Sequence, residues 1–123
     1  MRALQEAAGM KISKVKEILN ARVICGEEYL DREVMSACGS DLMSDVLAFV
    51  KEQGLLLTGL VNPQAIRTAD MMDMKCIVFV RGKMPDDSMK KLAEGREIVL
   101  LCSDFQMYKA CGLLYSNGLC GED

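Results

Sequence analysis

The chain has 123 residues, half of them hydrophobic, a net charge of −3 and no histidine. That hydrophobic share argues against disorder and is enough for one domain with a sizeable core, while the acidic balance argues against a nucleic-acid binder, which shows a basic surface. The missing histidine removes the commonest general base, the Cys–His and Ser–His activation schemes, and zinc sites other than those built wholly from thiolates or carboxylates.

No apolar run approaches the ~18–20 residues needed to cross a bilayer, and the first residues lack the hydrophobic region of a signal peptide. A cytoplasmic protein with no membrane partner is expected. The six cysteines, at 25, 38, 76, 102, 111 and 120, form no C-x-x-C pair. Without a signal peptide a disulfide framework is not expected. Four of them lie in or at the end of apolar strand-like runs, where a thiol behaves as a small hydrophobe.

Residues 1–9 read as a flexible leader, 10–119 as a single domain and 120–123 as a tail. After Met10, the residues Ile12, Val15, Ile18 and Leu19 form one apolar stripe with the lysines and Glu17 outward. This predicts a short amphipathic helix, closed by Asn20. A strand over 22–25, a Gly-Glu-Glu turn and a second strand over 34–38 follow. The stretch 31–46 organises the rest: its strand turns at Gly39-Ser40 into a helix predicted from Asp41, with Leu42, Met43, Val46 and Leu47 on one face. Such a turn leaves free N–H groups at the helix start, where a ligand or partner can be held.

Three continuous apolar runs, 55–60, 76–80 and 98–102, predict strands buried on both faces, as in a parallel sheet covered by helices. Their spacing leaves one helix between each pair. Asn62-Pro63 caps the first of these helices, with Ala65, Ile66, Ala69 and Met72 inward. Pro85-Asp86-Asp87 starts the next, with Met89, Leu92 and Ala93 inward and an end at Gly95. Ser103-Asp104 is read as the cap of the last, with Phe105, Tyr108, Cys111 and Tyr115 inward and an end at Asn117-Gly118. The expected fold is α/β: three layers, a mostly parallel sheet with helices on both faces and right-handed crossovers.

In such a sheet ligands collect at the carboxyl ends of the strands. Those ends carry Gly39 with Ser40 and Asp41, Thr58-Gly59 with Asn62, Arg81-Gly82-Lys83, and Ser103. Two cations, three hydroxyls and several glycines on one rim suit an anionic ligand such as a nucleotide phosphate. The competing reading makes Ser40, Asn62 and Ser103 ordinary caps and Arg81 and Lys83 solvated loop charges. No phosphate loop and no G-x-G-x-x-G is present, and Gly54 to Gly59 spans a strand.

Asp41 and Asp45, four apart, could ligate a metal or act as an acid/base pair, or Asp41 could complement its helix N-terminus with Asp45 solvated. No nucleophile stands beside them, and catalysis needs a full constellation. The chain is expected not to be an enzyme. Cys102, Cys111 and Cys120 lack the close spacing of an iron–sulfur site, so no cofactor is expected. Cys38, on the rim near a helix N-terminus, is the one thiol that could have a lowered pKa, though a buried structural thiol is the favoured reading there. The ten methionines, Met71, Met72 and Met74 among them, suit core filling or a dimer surface.

The segment from Asp31-Arg32-Glu33-Val34 through Ser40-Asp41-Leu42-Met43-Ser44-Asp45-Val46 resembles the DRTGG domain family. Asn62-Pro63 with Arg67-Thr68-Ala69, the run 77–82 and residues 110–119 are also similar to its small stand-alone bacterial and archaeal members. The resemblance covers roughly residues 10–119. The run that names the family is not intact, because Asp31-Arg32 is followed by Glu33-Val34-Met35; that departure bears on nucleotide binding there, not on the fold. Related domains are attached to HPr kinase/phosphorylase, phosphotransacetylase and CBS-domain pyrophosphatases, where they look regulatory or dimer-forming. Stand-alone members often occur with iron-only hydrogenase genes.

The resemblance thus implies a non-catalytic regulatory or interaction module, homodimeric, sensing an adenine nucleotide or other anionic ligand at the sheet's C-terminal edge. The alternative it implies is an accessory protein of iron-only hydrogenase or iron–sulfur redox machinery.

Overall fold

Consecutive residues of the central strands point into two different cores. In the computed structural model, which describes residues 9–49 and 54–119, a five-stranded sheet is built from β2 (Arg22–Cys25), β4 (Ser36–Gly39), β5 (Gly54–Thr58), β6 (Cys76–Phe79) and β7 (Val99–Cys102). The order across it is β2-β7-β6-β5-β4, with all neighbours parallel except the antiparallel edge pair β2 and β7. A small antiparallel ribbon joins β1 (Met10–Lys11) to β3 (Glu33–Val34).

One face packs Leu55, Leu57, Val78 and Leu101 against α1 (Ile12–Ile18) and α5 (Met107–Ser116), through Ile12, Val15, Ala110 and Leu114. The other packs Leu56, Ile77, Phe79 and Leu100 against α2 (Met43–Phe49), α3 (Pro63–Met71) and α4 (Asp87–Gly95), through Val46, Ile66, Ala69, Met89 and Ala93. This is the expected three-layer α/β arrangement. The continuous apolar runs are explained by it, since a pleated strand covered on both sides has no solvent face. Truncating a central leucine such as Leu56, which is fully buried, would cost ~2–5 kcal/mol.

The helix signals hold at several ends. Asn62 Oδ1 accepts the N–H of Gln64 at 2.8 Å with Pro63 at the first helical position, and Asp86 Oδ1 accepts that of Met89 at 2.9 Å. Asn20, at φ 49°, closes α1 in the left-handed conformation that asparagine tolerates.

Several expectations are corrected. The strand expected over 34–38 is two strands: Val34 pairs with Met10, while Ser36 pairs with Gly54, and Met35 between them is exposed. The helix expected from Asp41 starts at Met43, because Ser40 Oγ takes the Leu42 N–H at 3.0 Å and the Asp41 side chain leaves the helix altogether. Only Met43 and Val46 of its expected stripe are buried, with Leu42 and Leu47 exposed.

The last helix starts at Met107 with Gln106 at its cap position and no side-chain cap, rather than with Ser103-Asp104. It is also turned from the expected phase: Ala110 and Leu114 face inward and Tyr108 and Tyr115 outward. A buried tyrosine needs a partner for its hydroxyl, whereas alanine lets the helix approach the sheet closely. Of the methionines, Met74 is buried and Met71 is exposed. Residues 1–8 of the expected leader and the tail 120–123, with Cys120, lie outside the described residues. Among the described residues no helix is long and apolar enough to cross a membrane.

Candidate functional site

The strand ends meet where the β4–β5 register puts them. Gly39 pairs with Leu57, so two residues further on Asp41 comes to lie beside Gly59. The Gly59 N–H donates to Asp41 Oδ1 at 2.6 Å, and the Thr58 hydroxyl donates to the same oxygen at 3.2 Å while accepting the Leu60 N–H at 3.0 Å. Arg81 Nη2 lies 3.5 Å from Asp41 Oδ2. One carboxylate thus collects a backbone N–H and a hydroxyl from the end of β5 and a guanidinium from the turn after β6.

Arg81 is aimed there by a tight turn after β6. Residues 80–83 close with Lys83 N–H to Val80 O at 3.2 Å, and Arg81 and Gly82 have φ of 62° and 69°. Positive φ at both central positions is the mark of a type I′ turn. An arginine is uncommon there, and two bonds hold it: Arg81 N–H to Phe105 O at 2.8 Å and Gly82 N–H to Ser103 O at 2.9 Å. The guanidinium lies over Gly59, where a Cβ would collide with it. A side chain at 59 would push the guanidinium aside, so glycine there leaves Arg81 its place beside Asp41.

The donors hold the Asp41 carboxyl below its ordinary value of 3.8, the Gly59 N–H most of all, with Thr58 and Arg81 adding and partial burial opposing. The Arg81 and Asp41 side chains remain 39% and 50% exposed. Thr58 and Gly59 are buried behind the carboxylate, so Arg81 is the donor open to solvent while Asp41 stands in place.

Asp41, Thr58 and Arg81 are therefore the expected rim residues that meet. Ser40 is engaged locally, its Oγ bonded to the Leu42 N–H and its own N–H to Leu57 O at 3.0 Å. Asn62 caps α3. Lys83 is exposed on the turn. Ser103 is fully buried, donating to Leu19 O at 2.8 Å and accepting the Phe105 N–H at 3.2 Å, so it is closed to any ligand. Gly59 was expected on the rim as a strand-end glycine but was not singled out as a ligand contact; its N–H is the strongest donor to Asp41.

Asp41 does not complement the α2 N-terminus as one reading had it, and Asp45 stays exposed on the helix. A carboxylate surrounded by three donors, one cationic, is an anion's environment and a poor cation's. Among the described residues no group of three or more thiolates or carboxylates is placed to hold a metal.

Of the two readings of Cys38, the structure favours the structural thiol. Burial pushes the Cys38 pKa up, with Cys111 and Asp45 adding, so its place on the rim does not activate it. Burial likewise raises Cys25, Cys76, Cys102 and Cys111. Cys102 Sγ lies between Arg22 Nη2, at 3.3 Å, and Lys83 O, at 3.0 Å. Beside Gly39 a mostly apolar cavity of about 200 Å³ opens between β4 and α5, lined by Ala37, Leu57, Cys111, Leu114, Tyr115 and Leu119.

Comparison with known proteins adds one structure to this geometry. The chain superposes with a TM-score of 0.69, at 12% sequence identity, on the CBS and DRTGG domains of the regulatory region of Clostridium perfringens pyrophosphatase, complexed with its activator diadenosine tetraphosphate. The fold is DRTGG-like. The likeness covers 98% of this chain and 54% of the other, so the chain spans about half the length of that regulatory region. No family model matches the sequence, and no curated protein matches it.

Proposed function

We propose that this DRTGG-like domain is a non-catalytic regulatory module that senses a phosphate-bearing ligand, an adenine nucleotide in the first place, at the strand ends around Asp41, Thr58, Gly59 and Arg81. The observation that carries it is the convergence of the Gly59 N–H, the Thr58 hydroxyl and the Arg81 guanidinium on one half-exposed point. Backbone N–H groups and arginine are what phosphate oxygens bind best. Lys83, on the same turn, adds a second positive charge, and the apolar cavity beside Gly39 has the volume for a flat ring. The similar pyrophosphatase region is itself one that takes an adenine-nucleotide activator.

The test is a thermal-shift series with ATP, ADP, AMP, diadenosine tetraphosphate and inorganic phosphate. A ligand at ~100 times its Kd adds roughly 2.7 kcal/mol, which moves the midpoint by several degrees in a domain of this size. The expected result is a shift that disappears in Arg81→Ala. A flat series at millimolar ligand would contradict the reading.

A regulatory module must also pass its signal on, and we propose that it does so through a second copy of the chain. The support is that β4 is an edge of the sheet and that Met35 and Leu42, on either side of it, are exposed. Sedimentation as a monomer across the working concentration range would contradict the pairing. The redox-accessory alternative has less behind it, since the described thiols are shielded and their pKa values raised.

A further inference from the structure

A phosphate oxyanion needs donors that are free, and in this structure the three best donors on the rim all serve Asp41. The Gly59 N–H is engaged closely at 2.6 Å, the Thr58 hydroxyl at 3.2 Å, and Arg81 more loosely by one nitrogen, Nη2, at 3.5 Å. The carboxylate occupies the place, and makes the bonds, that a phosphoryl group would. Asp41 satisfies two buried donors here, but the turn into α2 has supports of its own. The Ser40 side chain already arrests the chain before α2, and α2 is anchored by Met43 and Val46.

We infer that Asp41 is a resident competitor for the anion site, a tethered carboxylate that a phosphoryl dianion must displace from Gly59, Thr58 and Arg81 to bind. This rests on the phosphate-sensing reading and deepens it by naming what sets the threshold. Tethering gives the carboxylate a high effective concentration. A free carboxylate ligand, with the same charge and no tether, therefore competes poorly. A phosphoryl dianion brings a second charge and a third acceptor oxygen, and takes the donors more readily than a singly charged anion. Displacement frees Asp41 and with it the 40–42 turn that leads into α2, whose exposed Leu42 and Leu47 lie on the surface that such a movement would change.

Because only the fraction of molecules with Asp41 swung out is competent to bind, the apparent affinity is reduced by that fraction. Removing the carboxylate restores it. Binding of AMP and of inorganic phosphate is measured by titration calorimetry on the full chain, for wild type, Asp41→Ala, Asp41→Asn and Asp45→Asn.

Asp45 is exposed and four residues on, so its variant removes the same formal charge without touching the cradle. Asp41→Asn keeps an acceptor for the Gly59 N–H and serves if the alanine variant folds poorly. The expected result is an affinity about tenfold tighter in the Asp41 variants, with Asp45→Asn close to wild type. Wild-type binding that tightens equally in Asp41→Ala and Asp45→Asn, or that weakens in both Asp41 variants, would overturn the competitor while leaving the phosphate site in place. Absence of binding in wild type and in both Asp41 variants would overturn the site itself.

Discussion

Two strands of the sheet end in a fully buried hydroxyl residue, β5 in Thr58 and β7 just before Ser103, and the two ends do different things. Ser103 donates to the Leu19 carbonyl and accepts the Phe105 N–H, tying the end of α1 to the start of α5 with neutral, enclosed partners. Thr58 makes the same pair of bonds in form, donating to one acceptor and taking a backbone N–H, but its acceptor is the Asp41 carboxylate, which is half exposed and faces Arg81. A neutral buried acceptor has nothing to exchange with. A charged acceptor at the surface can be replaced by another anion. The difference lies in the partner rather than in the hydroxyl, and it separates a structural tie from a candidate binding site.

The largest expected effect falls on the structural end. Ser103→Ala leaves the Leu19 carbonyl without its donor and should lower stability by ~1–3 kcal/mol in denaturant melts, with the response to phosphate unchanged. If ligand binding is lost along with stability, the two ends are not independent. Next comes Thr58→Val, which removes the hydroxyl with little change of shape. It should cost ~1 kcal/mol and, unlike Ser103→Ala, weaken phosphate binding in calorimetry.

Third is pH. Because the folded-state pKa of Asp41 is depressed, its contribution is present above the ordinary aspartate value and is lost as pH falls through the lowered one. Melts in acid should show wild type and Asp41→Asn converging there. The gap at neutral pH should stay below ~1 kcal/mol, since the pair is half exposed and screened. The smallest effect is expected of Lys83→Ala: stability within ~0.5 kcal/mol of wild type, and a modest loss of phosphate affinity that fades as salt is raised.

Much of the fold was legible because it is written in local pattern. The runs around Ile77 and Leu100 are apolar at every position because each side of the strand meets a core, and Asn62-Pro63 announces a helix without help from elsewhere. The phase of α5 was not legible. Hydrophobicity weighs Tyr108 and Tyr115 above Ala110, while packing favours the small residue. The split at Met35 was hidden too, since it depends on Met10 claiming Val34 from far along the chain. At the site, Asp41, Thr58 and Arg81 could be placed on one rim from topology. Which residue each would touch depends on strand register, and it is the register that makes the rim glycine Gly59 the donor to Asp41.

The most direct measurement of the central claim is the backbone amide spectrum of ¹⁵N-labelled protein titrated with inorganic phosphate and with AMP. The account predicts that the Gly59 amide resonance moves progressively and saturates, with Arg81 and Leu60 following, while the Phe105 amide, bonded to Ser103, stays in place. A Gly59 resonance that does not move while the protein is shown to bind either ligand would contradict it.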